Sequence, residues 1–220
     1  MADVKDKLLD AILPHVPFDG WSEPAFKAAV EDSGLEPALA QGICPRGAAD
    51  LAVAYHKRGD TLMCDALEKA DLEYMRFRDR IAHAVRLRLE AAGDKELVRR
   101  GMTHFALPAY APEGARLIWE TCDAIWIALG DSSRDLNWYT KRATLSGVYS
   151  STVLYWLGDE SEGHAATWAF LDRRIENVMQ FEKVKAGARK NKLLGDVIDR
   201  VTEAVRAPGG RGDMPGHEKK

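Results

Sequence analysis

Metal and acid–base chemistry needs histidines, cysteines and carboxylates at spacings that bring them to one helix face. Six histidines are available: His15, His56, His83, His104, His164 and His217. None stands in Glu-x-x-His or His-Glu-x-x-His, the spacings that put metal ligands on one face. Glu160 and His164 are four apart, but Gly163 between them assigns the pair to a loop and a helix start. His83 and His104 read as packed or solvated side chains. Cys44, Cys64 and Cys122 include no Cys-x-x-Cys, which leaves neither a zinc knuckle nor a disulfide framework, and a reducing compartment is the simplest reading. Cys122, among Trp119, Ile125 and Trp126, reads as an inert core thiol. Phosphate-cradling Gly-x-x-x-x-Gly-Lys-Ser/Thr, Gly-x-Gly-x-x-Gly and the Gly-x-Ser-x-Gly elbow are all missing from the sequence. Gly209-Gly210-Arg211-Gly212 falls in a Pro/Gly-rich charged tail and reads as a flexible end. No catalytic residue, no metal and no enzyme activity are expected.

The residue types that do stand out suit binding. Asp135 can cap a helix whose first turn then carries Asn137, Trp138 and Tyr139, followed by Lys141 and Arg142. Two rigid aromatics beside a cationic rim have the composition of an interface hot spot; the alternative is that Trp138 packs under the preceding loop. Asp123 and Trp126, one helix earlier, can border the same patch. A second concentration is aromatic: Phe105, Trp119, Trp126, Tyr149, Tyr155 and Trp156 suit the wall of a cavity for a long apolar ligand, although each also suits a helical core. A third is basic. Lys183, Lys185, Arg189, Lys190 and Lys192 run without an intervening acid into Leu193, Leu194, Val197, Ile198, Val201 and Val205, an apolar face at helical spacing. Such a stretch suits the surface of an anionic bilayer, with Lys190, Lys192, Leu193, Leu194, Val197, Ile198 and Val201 as contacts, or the face of a partner subunit.

Apolar residues recur at spacings of three and four nearly throughout, and strict alternation is not sustained anywhere, so the chain reads as all-α with about ten helices. Val4, Leu8, Ile12 and Val16 form one stripe. Ser22 caps a helix with Pro24 in its first turn, Phe26, Ala29 and Val30 on its buried face and Gly34 at its end. Glu36 to Gln41 makes a short third helix, and a longer one begins near Gly47. Gly93-Asp94 ends one helix and caps the next, which closes at Pro108. Pro112 opens a helix to Leu129, Asp135 caps another to Leu157, a further one runs from about Gly163 into the 180s, and Lys192 to Arg206 is the last. The expected organisation is a helix-turn-helix-like subdomain over 1–57, a helical ligand-binding bundle over 58–182, a basic linker with an amphipathic helix over 183–206, and a disordered tail over 207–220.

The first three helices have the spacing of a helix-turn-helix and resemble the DNA-binding domain of TetR-type repressors. Phosphate contacts demand cations. From Phe18 to Gly47 the acids are Asp19, Glu23, Glu31, Asp32 and Glu36 against Lys27 and Arg46, a net charge of −3. Glu36 to Gln41 offers base edges one amide and one carboxylate. Nucleic-acid binding is not expected, and the triplet reads as scaffold or dimer element; a ligand-responsive TetR-type regulator is the alternative.

The run Gly130-Asp131 followed by Asp135-Leu136-Asn137-Trp138-Tyr139-Thr140-Lys141-Arg142, with Gly20-Trp21, Leu107-Pro108, Trp168, Phe170-Leu171 and Arg174, resembles the Coq-nine family, ubiquinone-biosynthesis accessory proteins with a TetR-like fold. The resemblance covers roughly residues 5 to 180. Lys141 stands where the family is expected to carry arginine, which weakens any bidentate contact assumed there. The resemblance implies a non-enzymatic lipid-binding protein that binds isoprenoid quinone precursors and presents them to the di-iron demethoxyubiquinone hydroxylase. It makes Asp123, Trp126, Asp135, Asn137, Trp138, Tyr139 and Arg142 the partner-binding patch, a lipid cavity the place for the six aromatics, of which no more than half are expected to line it, and bound lipid or an isoprenoid quinone intermediate the companion in place of a cofactor.

Composition sets the outer bounds. The 220 residues carry 31 Lys+Arg against 34 Asp+Glu, a net charge of −3, far from the basic excess of a protein built to neutralise phosphates over its whole surface. Met1 to Asp10 has no apolar run of signal-peptide length, and no apolar stretch reaches the roughly 18 residues of a membrane span. The expectation is a bacterial cytoplasmic protein without a mitochondrial presequence, peripheral on the inner face of the membrane and homodimeric.

Overall fold

The computed structural model describes residues 2–189, with side chains from 4 to 180. Ten α-helices follow one another: α1 (Ala2–Ile12), α2 (Val16–Asp19), α3 (Glu23–Ser33), α4 (Pro37–Ile43), α5 (Ala48–Lys69), α6 (Phe77–Ala92), α7 (Lys95–Phe105), α8 (Ala111–Ala128), α9 (Leu136–Leu157) and α10 (Ala165–Arg189), with a 3-10 turn at Glu162–His164. No strand occurs among the described residues, so the all-α reading holds. The expected final helix, Lys192 to Arg206, and its bilayer contacts Lys190, Lys192, Leu193, Leu194, Val197, Ile198 and Val201 lie outside the described residues.

Local chemistry explains most of the helix ends. The Ser22 hydroxyl accepts from Ala25 N (3.4 Å) at the start of α3, and Gly34 takes the left-handed conformation, φ 63°, at its end. Asp94 and Asp135 accept from Glu96 N (2.7 Å) and Asn137 N (3.0 Å) to cap α7 and α9. One element differs from the sequence pattern. Val16 does not continue the stripe of α1 but opens the separate turn α2, because Pro14 and Pro17 carry no N–H and the helical ladder stops at Ile12.

The described residues divide into two compact units, one of residues 2–74 with 83–121 and one of 75–82 with 122–189. The boundary expected at 57/58 falls inside α5, a continuous helix of 22 residues that has no turn there at which to part. In the first unit Leu8, Leu9, Ile12, Val16, Trp21, Phe26, Val30, Leu51 and Leu97 form the apolar core. A polar knot lies under it. Arg88 on α6 donates to Asp60 Oδ1 (2.7 Å) and to the His56 carbonyl (3.0 Å) on α5, and Thr121 on α8 joins Asp60 to His56 Nε2 at 2.8 Å each. The guanidinium lies so close to Gly59 that a Cβ there would sit 2.6 Å from Arg88 Nη1. Burial, with Arg88 close by, pushes His56 down to about 4, so it packs as the neutral imidazole.

In the second unit α9 and α10 pack together, burying Leu145, Val148, Tyr149, Val153 and Trp156 against Leu171 and Ile175. Asp159 stitches the connection, accepting from Ser161 N (2.9 Å), Thr167 N (2.8 Å) and the Thr167 hydroxyl (2.5 Å). Hydrogen bonds from Ser161 and Thr167 hold its carboxyl well below the usual range. Among the described residues no helix is long and apolar enough to cross a membrane.

Candidate functional site

The corner between α8 and α9 begins with how α8 stops. Asp131 N reaches back to the Trp126 carbonyl and Gly130 N to that of Ile127, both at 2.9 Å, while Gly130 adopts φ 80°. This Schellman ending delivers the Asp131 side chain into the corner, where it is 3% exposed. Oδ1 accepts from Lys141 Nζ (2.7 Å) and the Ser133 hydroxyl (2.8 Å), and Oδ2 from Arg142 Nη1 (3.0 Å). Burial alone would raise this carboxyl, but the hydrogen bonds from Lys141, Ser133 and Arg142 together outweigh it and hold Asp131 far below the usual carboxylate range.

Arg142 is the hub. Its side chain is 1% exposed; Nε donates to Asp123 Oδ1 (2.6 Å) and Nη1 also reaches the Trp138 carbonyl (3.1 Å). Its guanidinium lies 4.1 Å from the centre of the Trp138 ring, close enough for cation–π attraction. Trp138 and Tyr139 meet edge to face at 4.8 Å, both half-buried, and Lys141 Nζ stands 5.1 Å over Trp126.

This geometry corrects the cationic rim. Arg142 is not a surface contact for a partner: two carboxylates and an aromatic face consume its donors, as burial of a charge requires. Lys141 is likewise tied to Asp131 and Ser133. Trp138 and Tyr139 are neither fully exposed nor core, and Asn137, exposed, donates to Asp135 Oδ2 (2.8 Å). The structure thus does bring Asp123, Asp135, Asn137, Trp138, Tyr139 and Arg142 together with Trp126 into one unit, with Arg142 as the inner brace of the patch.

The six aromatics do not share one surrounding. Phe105 and Trp119 belong to the first unit, where Phe105 packs on the apolar core and against Gly114. Trp126, Tyr149 and Trp156 are buried in the second. Tyr155, 39% exposed, faces outward and stacks flat on Phe170 at 4.5 Å; it lies about 100° around α9 from the buried Trp156.

The helix-turn-helix-like segment has its few polar handles engaged. Gln41 donates to the Pro45 carbonyl (2.8 Å), Arg46 is bound by Asp50 and Glu113 (2.7 and 2.8 Å), and Lys27 pairs with Glu23 at 3.5 Å. The hydrogen bonds that Arg46 donates to Glu113 and Asp50 raise its pKa still further. Among the described residues no group of three or more His, Cys, Asp or Glu side chains is arranged to hold a metal ion.

Sequence reasoning missed three residues of consequence. Asp131 entered only as part of a Gly-Asp pair, although an acid after a helix-ending glycine with Lys141 and Arg142 ten and eleven positions on was the available signal. The Asp60–Arg88 pairing spans two helices, and no local spacing announces it.

Comparison with known proteins agrees with the position of this corner. Residues 111–182 match the family model described as COQ9. The chain is 33% identical over 184 residues to the mitochondrial ubiquinone biosynthesis protein COQ9 of Drosophila melanogaster, covering 81% of this chain and 56% of that protein. Similarity to the COQ9 proteins of Dictyostelium discoideum (29% over 193 residues, 83% and 62% covered) and Homo sapiens (28% over 184 residues, 80% and 58% covered) is of the same order. The chain spans little more than half the length of these curated relatives. In structure it resembles a TetR transcriptional regulator from Nitrosomonas europaea, with a TM-score of 0.66 at 18% identity over 79% of this chain and 97% of that one, a likeness of fold. The α8–α9 corner and the helices around it are therefore a COQ9-family domain, set in a TetR-like all-α fold.

Proposed function

We propose that this protein serves ubiquinone biosynthesis as a non-catalytic accessory that binds a polyprenylated quinone precursor, docks on the membrane surface as a homodimer, and presents the precursor to the di-iron demethoxyubiquinone hydroxylase. The observation that carries this reading is the likeness to COQ9 proteins over four-fifths of the chain, with the matched domain containing the braced Trp138–Tyr139 corner. The physical rationale is solubility. Moving each CH₂-sized unit of an isoprenoid tail into water costs about 0.8 kcal/mol, so a protein that covers the tail lowers the barrier to leaving the bilayer. Half-buried aromatics held rigidly by an inner ion pair lose little entropy on docking, which suits a partner surface.

A DNA-binding role gains nothing from the TetR-like fold, because fold and function separate and both cations of the Phe18 to Gly47 segment are already paired. The test is extraction of the protein purified without detergent from its own host, followed by mass spectrometry. A polyprenylated quinone precursor in near-stoichiometric amount supports the carrier reading; protein devoid of any lipid overturns it.

A further inference from the structure

Trp126 presents an unexplained donor. The residue is 7% exposed, and its indole Nε1 is buried with no oxygen or nitrogen placed to accept from it among the described residues. Native structures rarely leave such a group unmet, because a donor stripped of water without a new acceptor destabilises the fold. A phenylalanine would fill much of the same space without that penalty. The N–H is therefore best understood through an acceptor that the described residues do not supply.

The surroundings narrow the chemistry of that acceptor. The Phe77 ring lies against Trp126, centroids 5.6 Å apart and planes tilted by 33°. Phe77 is 49% exposed at the first position of α6, directly after a non-helical stretch, so it can shift without dismantling a helix or the core. The cation over the indole, Lys141, is neutralised by Asp131, and Arg142 by Asp131 and Asp123. Both of these cations are thus already paired with carboxylates. A half-exposed aromatic ring, a buried N–H and balanced charges fit a neutral apolar molecule that carries an oxygen acceptor.

We propose that the Trp126 indole N–H is the hydrogen-bond donor for a carbonyl oxygen of a quinone-type head group, whose ring packs against Phe77. This inference rests on the lipid-carrier reading and assigns the residue that tells a quinone from a bare hydrocarbon tail. One donor aimed at one carbonyl distinguishes the two chemically, since the tail has nothing to accept with.

The experiment uses the full chain, wild type and Trp126→Phe, with two probes: a ubiquinone analogue bearing two isoprene units, and the isoprenoid hydrocarbon squalene. Trp126→Phe weakens quinone binding by about tenfold, the worth of one desolvated hydrogen bond, and leaves squalene binding unchanged. The melting temperature of the ligand-free variant stays level or rises, because an unmet donor has been removed. Phe77→Ala, at a half-exposed site, weakens both probes. Equal quinone affinity in wild type and Trp126→Phe overturns the assignment while leaving the carrier reading in place. Loss of hydroxylase binding with quinone binding intact gives the donor to the protein partner, and a wild type that binds neither probe removes the carrier reading and this assignment together.

Discussion

Arg142 shows how one buried cation can hold a surface in shape. Its guanidinium ties α9 to Asp123 on α8 and to Asp131 in the turn between them, while it underlies the Trp138 ring. Removing one partner of a buried pair leaves the other charge uncompensated, which typically costs about 3–5 kcal/mol. Arg142→Met falls at the lower end, about 3 kcal/mol by denaturant unfolding, because Asp131 keeps Lys141 and Asp123 is partly exposed. Adding Asp131→Asn to Arg142→Met recovers part of the loss, and a double variant no more stable than the single one would contradict this view of the corner. Asp131 also sets an acid dependence. Its folded pKa is depressed, so its contribution is full above the ordinary carboxylate range, near pH 4, and is lost as pH falls below that toward the folded value. Melting temperature measured between pH 5 and pH 2 should therefore fall less steeply for Asp131→Asn than for wild type. Composition marked Trp138 and Tyr139 as candidate interface anchors, with a packed Trp138 as the alternative, and the same reasoning placed on the rim an Arg142 that the structure buries. What composition does not carry is the Asp131 carboxylate, brought into range only by the left-handed turn at Gly130.

At the scale of elements, the helices were legible where their ends are written in local chemistry. Ser22, Gly34, Asp94 and Asp135 each satisfy or terminate a helix as their types demand. α2 was not legible, because Val16 keeps the apolar period across a proline break and a period cannot register a change of axis. The α5–α6–α8 knot was invisible for a related reason: Asp60, Arg88 and Thr121 meet only when three helices have packed. Two measurements probe it. Gly59→Ala drives a methyl into the Arg88 guanidinium and should cost about 1–3 kcal/mol as an overpacking change, against the stabilisation that Gly→Ala ordinarily brings inside a helix. His56 has a window of its own. As a base with its pKa lowered to about 4, it favours folding fully above the unfolded value near 6.5, and that stability is lost as pH falls from there to about 4, of order 3 kcal/mol in all. His56→Gln should flatten the pH dependence of stability between pH 6.5 and 4 without touching the steeper loss below it. An unchanged slope in that window would mean the imidazole is not held neutral by the fold.

For the molecule as a whole, charge and likeness decide between readings that share one architecture. A TetR-like fold serves a DNA regulator when its second and third helices present free cations. Here Lys27 and Arg46 are each paired and Gln41 bonds its own loop. The COQ9 likeness concentrates over 111–182, the stretch that contains the Asp131–Arg142 brace, the Trp138–Tyr139 pair and the unmet Trp126 donor. The proposed lipid wall is the least legible part of the sequence. Aromatic density cannot distinguish a ring that lines a cavity from one that fills a core, and Tyr155 shows a third outcome, an outward ring stacked on Phe170.

The central claim, that the α8–α9 corner docks the hydroxylase, is tested most directly by the affinity of Trp138→Lys for that enzyme beside its own melting temperature. Trp138 is half-buried over Arg142, so the variant loses a cation–π contact and some packing, about 1–2 kcal/mol of stability, and remains folded. Affinity for the hydroxylase should fall by about thirtyfold, near 2 kcal/mol, as for an anchoring aromatic replaced by a charge. A folded Trp138→Lys protein that binds the hydroxylase as tightly as wild type would contradict the account.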